Sequence, residues 1–178
     1  PDAAAEVIGR LSRGRYHDEH MLALEILDRL AAVWPEWGAD QVHALSRSLQ
    51  HPWDADRLAI VQGRLLARHP RLLRKHARWA ISSDPLRRRA AALALLPRTR
   101  GKTGRGVPAT RATTVLRLLL QDPEPHRWVE PAVGQALKHY AGRAPRTIAR
   151  LLATTPTALR SDTLAEIRRL LERLPSAS

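Results

Sequence analysis

Residues 81–95 read ISSDPLRRRAAALAL, and their reading decides the fold class. Ser82, Ser83 and Asp84 are good helix N-caps, and Pro85 follows where a first-turn proline is tolerated. A triple arginine, Arg87 to Arg89, then runs directly into an Ala/Leu helix. At 100° per residue Leu86, Ala90, Leu93 and Ala94 share one face, Arg88 points away from it, and Arg89 sits on its edge. An arginine at the rim of a buried stripe is held more firmly than one on an open face. The plain alternative is a solvated charge run on a surface helix.

Outward from this stretch, helical periodicity dominates and no period-two segment survives inspection. A short helix fits residues 3–12, ended near Gly14. Residues 17–34 form a clear one, with Leu22, Ile26, Leu30 and Val33 on one side and Pro35 and Gly38 as stops. Asp40 opens the next, to about Gln50. His51-Pro52 breaks the chain before a helix at 54–68. Pro70 starts residues 71–81, and the arginine-bearing helix runs from Pro85 to Pro97. Residues 98–109, RTRGKTGRGVPA, form a long loop with three glycines, four basic residues and no acid. Helices resume at 110–121, 125–141, 144–153 and 161–174. Consecutive helices of similar length with short links predict an all-α fold of stacked antiparallel pairs, a HEAT-like solenoid forming a single domain over residues 1–178. A solenoid bends, and Arg71, Arg74, Lys75, Arg78 and Arg87–Arg89 on adjacent helices would line part of its concave groove with positive charge.

The charge is unevenly spread. The chain of 178 residues carries a net +13. Residues 57–121 hold sixteen basic residues and one acid, Asp84, whereas residues 1–56 hold five arginines and ten acids. A localised field of that size favours a polyanion, most simply a nucleic-acid backbone. A membrane surface needs a strongly apolar face opposite the basic one, but there is no Phe, and Trp53, Trp79 and Trp128 are scattered. With no cysteine, disulfides, thiolate catalysis and cysteine-based zinc sites are excluded. No apolar run reaches 18 residues and no signal-peptide pattern opens the chain, so the expectation is a cytoplasmic protein. Abundant alanine and arginine suggest a bacterial genome rich in G and C.

Several segments, in order, resemble the AlkD-type DNA alkylation repair proteins. They are HMLALEILDRL at 20–30, PWDADRLAIVQGRLLARHP at 52–70, WAISSDPLRRRAAALAL at 79–95, PAVGQALKHYAGRAPRTIARLL at 131–152, and LRSDTLAEIRRL at 159–170. The resemblance covers about residues 14–174. The family has more helix before this point, which together with Pro1 in place of Met implies sequence upstream. The resemblance implies a HEAT-like solenoid cradling duplex DNA, and excision of cationic alkylpurines without turning the base into a pocket. It implies no cofactor and no metal, and action as a monomer. As the glycosidic bond breaks, positive charge builds on the sugar, and a nearby carboxylate stabilises it. Aromatic side chains contact the cationic lesion by cation–π attraction.

By this resemblance Arg89 matches the family's DNA-contacting arginine, with Arg87 and Arg88 beside it. Lys138 stands where an arginine usually meets phosphate, keeping the charge but losing the bidentate fork. Trp53 and Asp56 look like the tryptophan and catalytic aspartate of a W-x-x-x-D motif. Here the spacing is W-x-x-D, and an ungapped reading back from Gly63 puts Ala55 at the catalytic position instead. Gln135 occupies the place of the family's other lesion-facing tryptophan. Trp128, seven residues earlier and on the same helical face as Gln135 and Lys138, is the candidate replacement. These departures leave three readings open. The chain excises alkylated bases, or binds damaged or branched DNA without chemistry, or is a scaffold for an acidic protein.

Competing assignments are weaker. For Asp56, as for Asp54, the plain reading is an acid near a helix start, stabilised by the dipole. Trp34, Trp37 and Trp79 read as packing residues. His17 and His20 have a metal-compatible spacing but no cysteine or unusual acid beside them, and read as surface histidines. Gly101-Lys102-Thr103 mimics the end of a phosphate loop, but position 96 is Leu and no strand precedes it. Lys102 and Arg105 are instead assigned to a basic arm reaching across a phosphate backbone.

Overall fold

The structure is a computed structural model, and it describes residues 2–96, 106–123 and 125–173. All regular structure among them is helical: α1 (Asp2–Leu11), α2 (His17–Val33), α3 (Pro35–Leu45), α4 (Pro52–Arg68), a 3-10 turn at Pro70–Leu72 leading into α5 (Leu73–Ala80), α6 (Pro85–Leu93), α7 (Ala109–Leu120), α8 (Glu130–Ala141), α9 (Pro145–Thr154) and α10 (Ser161–Arg173). Residues 98–105 of the basic loop, with Gly101-Lys102-Thr103 and Arg105, lie outside the described residues.

Prolines act here as starts more than as stops. Pro35, Pro52, Pro85 and Pro145 each occupy the first turn of a helix, where the missing N–H would have had no partner. That corrects two boundaries. α3 begins at Pro35 rather than Asp40, with Trp34 closing α2 and opening α3 at once. α4 begins at Pro52 rather than Asp54. Gly38, expected to stop a helix, lies inside α3, where a Cβ would stand 2.5 Å from that of Ala31 on α2. Asp84 caps α6 as expected, its carboxylate accepting from the Leu86 N–H at 2.8 Å. α8 begins at Glu130, five residues later than Pro125.

Packing follows an alternating order. α2, α4, α6, α8 and α10 contact one another in succession, and α5, α7 and α9 do the same. Each neighbouring pair α2–α3, α3–α4, α5–α6, α6–α7, α7–α8 and α8–α9 is also in contact. Two layers of helices therefore enclose one apolar cluster running from Ile8 to Ile167. Leu27, Leu58, Leu66, Leu93, Leu116, Leu137 and Ile148 are among its fully buried members, each worth about 1.5–3 kcal/mol of transfer free energy.

α6 has no fully exposed residue. Besides the expected stripe of Leu86, Ala90, Leu93 and Ala94, its Ala91 and Ala92 and the following Leu95 are buried too. Small side chains let α4 come close: a Cβ on Gly63 would sit 2.8 Å from the Ala94 carbonyl oxygen. On α2 the buried stripe differs from the one expected. Ala23, Leu24, Leu27 and Ala31 are buried, while Leu22 and Val33 are exposed. α2 meets α1, α3 and α4, and the alanines allow the closest approach, so the alanine-containing face turns inward.

Candidate functional site

The arginine triplet is not a solvated charge run, because each guanidinium is committed to a different part of the chain. Arg87 on α6 donates from Nε to the Ser46 carbonyl just after α3, at 2.9 Å. Arg88, expected to point away from the packed face, instead folds back. It donates to the Ser82 carbonyl at 2.7 Å and pairs with Asp122 at 3.2 Å, with 15% of its side chain exposed. Arg89 reaches across to α4.

The Arg89 contact is the centre of the site. Its Nε donates to Asp56 Oδ1 at 2.6 Å and its Nη2 to Asp56 Oδ2 at 2.9 Å, a bidentate fork. Its Nη1 donates to the Trp128 carbonyl at 2.8 Å. Three of the five guanidinium N–H groups are thereby used, leaving one on Nη1 and one on Nη2 for another acceptor. The fork fixes the Asp56 carboxylate while leaving it about one-third exposed.

Burial separates the neighbouring positions of this turn. Ala55 is fully buried in the core, and Asp54 is buried with its Oδ2 accepting from the His51 N–H at 3.1 Å, capping α4. Asp56 is thus the acid of this turn that faces Arg89. Trp53 lies three residues earlier on α4. A spacing of three, like one of four, keeps two residues within one turn of a helix. Trp53 is 52% exposed, and its ring stacks on His51 with centroids 4.6 Å apart. Beside it opens a cleft of about 430 Å³, lined by Arg13, Tyr16, His20, His51 and Asp54 among others.

Trp128 does not share a helical face with Gln135 and Lys138. It lies in the turn before α8, since the helix starts two residues later, and it is half-buried against the core. Its ring meets His126 edge-on at 4.9 Å, and the Arg127 guanidinium sits 5.4 Å from its centroid. It joins the site through its backbone carbonyl. Gln135 is exposed on α8, and Lys138, one turn on, pairs with Glu166 of α10 at 3.0 Å. Lys102 and Arg105 lie outside the described residues.

α4, α6, α8 and α10 thus supply Trp53, Asp56, Arg89, Gln135, Lys138 and Glu166 from one layer. The basic residues of α5 stand in the other layer, and two of the expected groove residues, one in the 3-10 turn and one on α5, are tied to acids: Arg71 to Glu36 at 2.7 Å, and Lys75 to Asp40. Sequence reasoning did not find His51, Glu166, Asp122 or the Trp128 carbonyl. The last two partner arginines 34 and 39 residues away, and no local spacing signals that.

The remaining aromatic residues divide. Trp79 is buried as expected and donates from Nε1 to His43 Nδ1 at 3.1 Å. Trp34 is 42% exposed, edge-on to Trp37. His76 is fully buried beside Trp79, and burial pushes its pKa down to about 4. His20 bonds through Nε2 to the Gly14 carbonyl oxygen at 3.1 Å. Among the described residues no group of three or more His, Cys, Asp or Glu could hold a metal ion, and no helix is long and apolar enough to cross a membrane.

The family model described as "DNA alkylation repair enzyme" matches residues 1–169 of the chain. No curated protein and no solved structure matches it.

Proposed function

This chain belongs to the DNA alkylation repair enzyme family, and on that premise we propose that it holds duplex DNA along the α4–α6–α8–α10 layer, acts there on alkylated bases, and works as a monomer. The alternating packing order of the two layers supports a HEAT-like solenoid whose exposed layer of even-numbered helices forms the groove. The observation that carries the reading is the fork between Arg89 and Asp56, closed by the Trp128 carbonyl. It joins a fixed carboxylate to two unused guanidinium N–H groups, and Trp53 is exposed three residues before Asp56 on the same helix.

These groups divide the work. The unused N–H groups of Arg89 donate to a backbone phosphate, and Lys138 meets a second one by exchanging Glu166 for it. Trp53 lies against the cationic base. Cleavage of the bond between sugar and base sends the electron pair to the base, which leaves neutral, and positive charge develops at C1′. Asp56 stabilises that charge, and water then adds to C1′ and loses its proton to solvent. Gln135, shorter than a tryptophan, leaves room for a bulkier adduct.

The test is release of alkylated base from a methylated duplex, with Asp56→Asn, Asp54→Asn and Trp53→Ala alongside wild type. Release lost in Asp56→Asn and retained in a folded Asp54→Asn supports excision through Asp56. The fork itself favours a second reading: both carboxylate oxygens already accept from Arg89, which suits a protein that binds lesions without cleaving them. Tight, salt-sensitive binding with no release from wild type would select that reading. Binding indifferent to DNA and to salt would overturn both, leaving a scaffold for an acidic partner.

A further inference from the structure

The layer opposite the site carries an arginine cluster of a different kind. α7 and α9 pack side by side, and the groove between them, about 260 Å³, is lined by Arg117, Arg146, Arg150, Thr110, Thr113 and Thr147. The two helices hold four arginines and no acid. Some exposed arginines elsewhere are offset locally, as in the i,i+4 pairs Glu6–Arg10 and Glu25–Arg29, but α7 and α9 offer no acid to do so. None of Arg117, Arg146 and Arg150 has an acidic partner among the described residues, and all three are exposed.

Stability alone does not account for this arrangement. Arg146 and Arg150 are i,i+4 neighbours of like charge on α9, an unfavourable pair. Arg146 also lies in the first turn of α9, where the helix dipole disfavours a cation. An anion in the groove relieves both penalties at once. Guanidinium groups supply forked donors matched to phosphate oxygens, and threonine hydroxyls add neutral donors. The groove is open rather than enclosed, which suits a chain of phosphates better than one caged ion.

We propose that the α7–α9 groove is a second phosphodiester-binding site, taking the backbone of a further DNA segment while the Asp56–Arg89 layer holds the first. The proposal rests on DNA being the partner of the first layer. It makes the protein a bridge between two duplexes.

The experiment mixes limiting protein with a donor-labelled and an acceptor-labelled duplex. It reads sensitised emission, with sedimentation to count duplexes per chain. Wild type is expected to carry two duplexes on one chain and to give emission that salt abolishes. The triple variant Arg117→Ala/Arg146→Ala/Arg150→Ala is expected to keep its Tm and its first duplex but lose the emission. The salt slope of total binding should become shallower by about 0.9 for each phosphate no longer neutralised. The matching triple lysine variant should restore part of the emission. Wild type saturating at one duplex, or emission unchanged in the alanine variant, overturns the proposal while leaving the first interface standing. Failure to bind any duplex overturns both. Displacement of the second duplex by poly-glutamate at equal charge concentration overturns the assignment to nucleic acid.

Discussion

Arg89 and Asp56 sit 33 positions apart and meet in a two-bond fork, while Asp54, two residues from Asp56, is buried as a helix cap. Neighbouring acids in one turn thus have opposite employments, set by which side of α4 meets the core. The fork is partly exposed, so a double-mutant cycle of Arg89→Ala and Asp56→Ala read by urea denaturation should give a coupling of about 1–2 kcal/mol, between exposed and buried pairs. Additive effects would show that the fork is not formed in solution. Arg89→Ala should weaken duplex binding several-fold, and Arg89→Lys should recover only part of it, since an ammonium cannot hold Asp56 with two parallel bonds and still offer two N–H groups to phosphate. Equal affinity of all three forms would remove Arg89 from the interface. At this scale the ordered resemblance singled out Arg89, Asp56 and Trp53, and Arg89 alone was also marked by its place at the edge of an apolar stripe. It left Ala55 and Asp56 as alternatives, because burial, not spacing, separates them.

The elements are joined by close approaches that depend on the absence of a side chain. Gly63 lets α4 lie against the backbone of Ala94 at the end of α6, and these two helices carry the two halves of the fork. Gly63→Ala gains about 1 kcal/mol of helix propensity but forces backbone apart, so a net loss of about 1–2 kcal/mol is expected in chemical denaturation. The same variant should bind duplex more weakly, because the fork is displaced. Tyr140 on α8 makes a second joint. Its buried hydroxyl lies 2.7 Å from the Leu95 carbonyl oxygen and 2.7 Å from that of Val107, on either side of the basic loop, and burial raises its pKa. Tyr140→Phe strips both carbonyls of this donor and should cost about 1–3 kcal/mol, read as a lowered denaturation midpoint with unchanged m. Element type was readable throughout, from periodicity and from prolines. Element starts were less so, because a proline reads equally as the end of one helix and the first turn of the next, and only packing shows which. The exposed Leu22 and Val33 of α2 teach the same lesson, since two apolar stripes competed and the one carrying alanine packed.

For the molecule as a whole, the buried His76 links folding to pH. Its native pKa of about 4 lies below the usual 6.5, so between these values the unfolded chain takes a proton that the folded chain refuses. Stability therefore falls as pH drops from about 6.5 to about 4, by about 3 kcal/mol from this group, and no further below that. Burial lowers His43 and His139 in the same direction. Urea titrations across this range should show the decline, and His76→Gln should flatten it; an unchanged slope would place its origin elsewhere. Charge acts at the same scale. The excess of basic residues in 57–121 was plain from the sequence and pointed to a polyanion, but its distribution over two layers was not. Part of it is neutralised internally, at Asp40, Asp56 and Asp122. By itself the sequence determined an all-helical chain, its family, and the residues about which a site could form, because periodicity, capping and motif order are local and survive without a fold. The tertiary structure alone decided which acid faces Arg89, that Trp128 contributes a carbonyl, and that three arginines of α7 and α9 converge without a counter-charge. Those facts depend on contacts between residues tens of positions apart, which burial and helix packing select.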